Sequence, residues 1–175
     1  MELIFLSLSL IMALGILIWV MYNLIGEISA VSFVPSNQDE IETILKKINP
    51  GKNKLFLDLG SGDGRVVRTA VIKHEVRGVG YEIHPLLVWY SKWRWRKVKN
   101  LDFKRQSMWE ADLSPADYIY CYLSPRAMKK LAKKIQEECK KGTVMVSKAF
   151  EIKSWDMHLS EKFQINGRNF FVYKM

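Results

Sequence analysis

Between Glu2 and Glu27 the chain lacks any charged residue, and it has no Lys or Arg before residue 46. A secretory leader opens on a basic segment and has a shorter apolar stretch, so this absence argues against a cleaved signal peptide. What stands there instead is an apolar run from Leu3 to Tyr22. As a helix it measures about 30 Å, the thickness of a bilayer's hydrocarbon core. Trp19 and Tyr22 fall where an interfacial aromatic belt would lie. Residues 1–26 are therefore expected to be a transmembrane anchor, meeting the membrane through residues 3–22.

Cysteine is nearly missing as well: Cys121 and Cys139 stand 18 apart, with no CxxC and no His at ligand spacing. That excludes a disulfide framework and a zinc site, leaving reduced thiols and no metal. His74, His84 and His158 form no spaced cluster and read as structural or surface residues. Acidic charge is in deficit, because residues 31–175 hold 27 basic against 16 acidic side chains, a net +11. Such a balance suits an anionic membrane face or nucleic acid without choosing between them. It also places the basic part on the cytoplasmic or equivalent inner side. No repeat and no low-complexity tract interrupts the chain, whose length fits one domain behind the anchor.

The remainder alternates strand and helix signals. After a connector at 27–33, "VPSNQDEIETILKKI" reads as a helix capped by Ser36, with Asp39 and Glu40 in its first turn and Ile41, Leu45 and Ile48 as its stripe. Strand Leu55–Leu59 runs into a glycine turn, then a helix over 65–74 turns Val67, Val71 and Ile72 inward. A second strand ends at Glu82, and a helix opens at Pro85. "LDFKRQSMW" and "ADYIYCYLSP" read as strands three and four. An amphipathic helix from Pro125 is ended by Gly142, "TVMVSKAF" is strand five, and Asn166-Gly167 turns a closing hairpin. This order predicts an α/β, Rossmann-like, doubly wound sheet with an antiparallel C-terminal hairpin, and ligands at the carboxyl ends of its strands.

The turn "DLGSGDGRV" brings acids, Asp58 and Asp63, where a phosphate loop would present bare N–H groups and cations. A dinucleotide fingerprint needs a glycine at position 65, which is Arg65, and a P-loop needs Lys and Ser or Thr after Gly64. S-adenosylmethionine carries an ammonium, a carboxylate, a sulfonium and a ribose diol, but no phosphate. Gly60, Ser61, Gly62 and Gly64 allow the backbone to close on its amino-acid end while Asp58 faces the cation. Glu82, 24 residues after Asp58, has the position of a ribose-binding acid.

"DLGSGDGRVV" with "GVGYEIHPLLVWYS" resembles the class I, seven-strand methyltransferases. From "FVPSNQDEIETIL" to Trp155 the chain is more narrowly similar to the membrane-anchored protein-lysine methyltransferases of mitochondria that modify the ATP synthase c subunit and the adenine nucleotide carrier, and to their prokaryotic relatives. The resemblance implies a seven-stranded sheet, an anchor at 1–26, a connector and N-terminal helix at 27–54, and a methyltransferase domain at 55–175. It implies S-adenosylmethionine held by Pro35, Gln38, Asp58, Gly60, Ser61, Gly62, Gly64, Glu82, Ile83, Ser107, Met108 and Trp109. It implies a lysine substrate on a protein, membrane proteins included, met by Tyr122, Leu123, Ser124, Pro125 and Trp155, and a matrix or cytoplasmic location.

Three departures from the family pattern stand out. Ser107, Met108 and Trp109 replace Asp-Leu-Trp, so Ser107 or a backbone carbonyl must serve the adenine amino group. His84 replaces Asn. "SKAFEIKSW" replaces an Arg-Phe-Pro stretch. Within the strand-four pair, Tyr120 and Tyr122 share a face, and one of them is core. No general base is assigned.

Two rival functions are an RNA or DNA methyltransferase and a catalytically silent membrane-anchored module. "SKWRWRKVKN" interleaves Trp93 and Trp95 with cations as a nucleic-acid platform does, although with a span upstream it better suits anionic lipid headgroups. "YLSP" lacks the Asn/Asp-Pro-Pro-aromatic arrangement that resemblance attaches to amino-methylating nucleic-acid enzymes, which makes nucleic acid the weaker partner.

Overall fold

The computed structural model describes residues 2–28 and 35–175: the start of the connector expected at 27–33 is helical through Ile28, and the rest of it, 29–33, lies outside the described residues. The chain forms two compact units, Met1–Phe33 and Val34–Met175. The described residues of the first form one helix, α1 (Glu2–Ile28). Its segment Ile4–Met21 has a mean hydropathy of 2.6 and no buried residue, which makes it long and apolar enough to cross a membrane.

The second unit is built on a seven-stranded sheet of order β3-β2-β1-β4-β5-β7-β6. Its strands are β1 (Leu55–Leu59), β2 (Arg77–Glu82), β3 (Leu101–Arg105), β4 (Tyr118–Cys121), β5 (Val144–Lys148), β6 (Leu159–Ile165) and β7 (Arg168–Lys174). The first five pair in parallel, whereas β7 is antiparallel to both β5 and β6. The order reverses between β1 and β4, which opens a crevice at their carboxyl ends.

Four helices cover the sheet: α2 (Gln38–Ile48), α3 (Arg65–His74), α4 (Pro85–Trp95) and α5 (Pro125–Glu138). Ile41, Ile44 and Leu45 of α2, Val67 and Val71 of α3 and Val88 of α4 pack with Phe56, Tyr120, Val146 and Phe170 in one core. α5 supplies Met128, Leu131 and Ile135 to the interior, and Met128 Sδ lies against Cys121 and Ser147.

Several local expectations are corrected. The cap of α2 is Asn37, whose side chain accepts from Asp39 N–H at 3.0 Å, because Ser36 is drawn inward by other partners. Ile72 is exposed, since the 100° step from the buried Val71 carries it off the core face of α3. β3 stops at Arg105, and residues 107–110 form a turn in which the Ser107 carbonyl accepts from Glu110 N–H. α5 ends at Glu138, before Gly142, with Cys139 donating its N–H back to Ile135.

Candidate functional site

The glycine turn is shaped by positive φ at Gly60 (81°), Gly62 (56°) and Gly64 (77°). Gly64 is doubly required, because a Cβ there would lie 2.3 Å from the Phe103 ring. The turn is held from three sides. Tyr81 carbonyl accepts from the N–H groups of Gly60 and Ser61, Ser91 Oγ donates to Gly62 carbonyl at 3.1 Å, and Trp95 Nε1 donates to Asp63 carbonyl at 2.8 Å.

Asp58 sits under this turn at the end of β1. It is 2% exposed, and among the described residues its Oδ2 has no hydrogen-bond partner. Burial pushes its carboxyl up to about 8, opposed by the Val67 N–H and aided by the negative charges of Glu82 and Asp63. Ser61 Oγ is likewise buried without a partner among the described residues. Two unpartnered polar atoms at a glycine turn that is exposed at Gly60 are the mark of an incomplete site, since buried polar groups are otherwise satisfied.

Glu82 closes the far side. Its Oε2 accepts from Gly62 N–H at 3.0 Å and its Oε1 from His84 N–H at 2.9 Å, so each oxygen keeps a free lone-pair position. Asp63 does not join it: the carboxylate is paired to Arg65, whose Nη1 donates to Ser36 carbonyl at 3.1 Å. Arg65 thereby ties the turn to the segment carrying Pro35 and Gln38. Pro35 is exposed, and Gln38 Nε2 donates to Glu42 and, at 3.4 Å, to Thr69 Oγ1.

Ile83 is exposed beside Glu82, and Met108 is buried in the turn after β3. Ser107 Oγ accepts from Trp109 N–H at 3.3 Å, while Lys130 lies over the Trp109 ring at 4.4 Å. Across the crevice, Leu123 is buried with a methyl group 3.5 Å from where a Gly60 Cβ would stand. Ser124 caps α5 by accepting from Ala127 N–H, and Pro125 is its first residue. Tyr120 is the core member of the tyrosine pair, whereas Tyr122 is half-buried. Trp155 is 1% exposed and packs edge-on to Tyr173, so its ring belongs to the interior behind β5.

One feature escaped sequence reasoning. Lys148, at the end of β5, is buried and forms a 2.6 Å ion pair with Glu40 of α2. Its Nζ also donates to Ser36 Oγ at 3.1 Å and lies 4.7 Å from the Tyr122 ring centre. A terminal-strand lysine resembles any solvated cation in sequence, and its partner is 108 residues away. Burial pushes the Cys121 thiol well above its usual range, which removes it as a nucleophile.

The pattern of this crevice has counterparts. Residues 58–159, more than half of the chain, match the ANTKMT methyltransferase domain. The chain belongs to that family of S-adenosylmethionine-dependent methyltransferases. A human member, named as the lysine N-methyltransferase of the ATP synthase c subunit, is 32% identical over 126 residues, 70% of this chain and 53% of its own. A Saccharolobus islandicus member named protein-lysine N-methyltransferase is 27% identical over 82% of this chain and 91% of its own. Thus the chain spans about half the length of the human relative and nearly all of the archaeal one. Among solved structures, an RNA methyltransferase from Salinibacter ruber with S-adenosyl-L-homocysteine superimposes with a TM-score of 0.76 at 29% identity, covering 81% of this chain and 93% of that one.

Proposed function

We propose that this chain is a protein-lysine N-methyltransferase that uses S-adenosylmethionine and is anchored to a membrane by α1. The observation that carries the cofactor reading is the unpartnered, buried Oδ2 of Asp58 beneath a glycine turn exposed at Gly60, with Glu82 at the opposite end. Bound S-adenosylmethionine would supply a methyl group already activated on a sulfonium. Asp58, ionised, meets the ammonium, and the Gly60–Gly64 backbone lies against the amino-acid moiety. Glu82 offers its two remaining lone-pair positions to the ribose hydroxyls, while Ile83, Ser107, Met108 and Trp109 enclose the base. Pro35 and Gln38 line the entrance through the Arg65 tether.

The chain's own task is then to position and deprotonate the acceptor. A lysine of pKa about 10.4 is under roughly 0.1% neutral at pH 7. The wall of Tyr122, Leu123 and Pro125 removes water from the amine, which lowers its pKa and lets the proton leave before attack. Ser124 is already engaged as a helix cap, so it serves as wall rather than base. Trp155 acts from behind by fixing the turn after β5, where its N–H bonds the Ile152 carbonyl at 2.9 Å.

The names of the curated relatives support a protein lysine as acceptor, whereas the 29%-identical solved structure keeps RNA as the alternative. The full chain in detergent, given labelled S-adenosylmethionine and a cell extract, is expected to label protein lysines identifiable by mass spectrometry. Asp58→Ala and Glu82→Ala are expected to abolish cofactor binding with the fold retained. Label found only in RNA overturns the acceptor, and absence of label in any acceptor points to a silent module.

A further inference from the structure

Helix α4 is apolar on both of its sides. Its inner side holds Val88 and Ser91 buried, and Trp95 and Ser91 bind the glycine turn. At 100° per residue, Leu86, Trp89, Tyr90 and Trp93 fall within an arc of about 100° on the opposite side. There they are 61%, 66%, 39% and 54% exposed. Trp89 and Trp93 stack with centres 6.5 Å apart and planes 9° from parallel, which gives a preformed aromatic surface. A surface helix ordinarily turns charged residues to water, so an outward stripe of one leucine and three aromatics needs a partner.

Charge states what kind. No acid occurs between Glu82 and Asp102, while Lys92, Arg94, Arg96, Lys97 and Lys99 all do. Lys92 and Arg96 flank the stripe on one side and Arg94 on the other, and Arg96 lies over the Trp93 ring at 5.5 Å. Tryptophan and tyrosine bordered by long basic side chains are the composition of an element lying at the headgroup level of a bilayer. An anionic lipid surface is the complementary partner, since basic side chains close to it are attracted electrostatically.

We propose that the outer face of α4 docks on a membrane surface containing anionic lipid, as a second contact beside α1. It rests on the anchored reading in one respect: a span in the same chain raises the effective concentration of the bilayer for a patch that is weak alone. Docking would also set α4, and through Trp95 and Ser91 the cofactor turn, close to the lipid surface.

The test uses the full chain in nanodiscs whose acyl chains are brominated near the glycerol, either phosphatidylcholine alone or mixed with phosphatidylglycerol. Anionic discs are expected to quench a component of tryptophan emission that Trp89→Ser/Trp93→Ser lacks, and zwitterionic discs are not. Lys92→Glu/Arg96→Glu/Lys97→Glu, which keeps both tryptophans, is expected to lose most of that component. Equal quenching of wild type and the double variant in anionic discs overturns the proposal. So does a response of Trp89 and Trp93 to added RNA with none to anionic lipid, which assigns the face to nucleic acid. Co-elution with both disc types without this quenching leaves the span and removes the docking. Capture and quenching by anionic discs alone leave the docking and remove the span.

Discussion

At the residue scale, Asp58 makes cofactor binding depend on pH in a definite direction. Its carboxyl stays protonated up to about 8 in the ligand-free chain, yet an ammonium ligand requires the anion. Binding below pH 8 therefore releases a proton, and affinity rises with pH by at most about tenfold per unit. Above that, an α-amino group with a pKa of about 8 loses its own proton and affinity falls. Calorimetry from pH 6 to 9 is expected to show tightest binding near pH 8, and Asp58→Asn to bind feebly without this maximum. The same shift acts on stability with the opposite sense. A pKa raised above the unfolded value means the folded chain binds more protons between about 4 and 8, so ligand-free stability falls as pH rises through that window. Asp58→Asn should then unfold at higher denaturant than wild type at pH 8, a stabilisation that accompanies loss of binding. Lys148 and Glu40 give a second case, since both are buried and paired. Lys148→Met removes the near partner of the Glu40 carboxylate and leaves it only Arg168 at 3.8 Å, and is expected to cost up to about 3 kcal/mol in urea unfolding. Adding Glu40→Gln should restore part of that loss; no recovery would mean the lysine acts mainly through its packing on Tyr122.

At the scale of elements, two glycines separate backbone strain from crowding. Gly64 and Gly167 have nearly equal positive φ, 77° and 75°, but only at Gly64 does a Cβ meet anything, the Phe103 ring. Gly167→Ala is expected to cost about 1 kcal/mol, the left-handed penalty alone. Gly64→Ala should exceed it by at least about 1 kcal/mol, because a packed ring must move, as overpacking of cores shows. Equal losses in thermal unfolding would mean that the turn yields instead. These elements were largely legible in the sequence: β1, the glycine turn, α3 from Arg65 and the Asn166-Gly167 hairpin lie where local chemistry demands them. Their signals are short-range, so a linear reading finds them. What it missed depends on distant partners. Ser36 is as good a cap as Asn37 by type, yet Lys148 and Tyr120, far along the chain, claim its hydroxyl. α4 obscured its own sides because apolar residues lie on both, and only the packed sheet separates Trp95, bonded to the turn, from the outward Trp93.

At the scale of the whole molecule, the chain joins a unit that encloses a core to a helix whose apolar segment Ile4–Met21 is exposed throughout. Val34–Met175 encloses its own core, whereas Ile4–Met21 buries no residue. In water that helix would leave Phe5, Leu10, Trp19 and their neighbours hydrated, and the proposed span would place them in hydrocarbon instead. The magnitude can be bounded. Ile4–Met21 holds 11 Leu, Ile, Val and Phe residues, worth about 0.3 to 0.6 kcal/mol each near the centre of a span, or about 3 to 7 kcal/mol together. One central arginine costs about 2.5 to 3.5 kcal/mol, which the segment can offset in part. Two arginines, Met12→Arg with Ile16→Arg, cost about 5 to 7 kcal/mol and reach the whole of that range. Alkaline extraction of membranes from cells expressing the full chain is expected to leave wild type in the pellet, to divide Met12→Arg between the fractions, and to release the double variant. The released variant should keep its cofactor affinity, because every proposed cofactor contact lies in the second unit. Wild type in the alkaline supernatant would remove the span, and loss of cofactor binding in the released variant would show that the anchor supports the fold as well as the location.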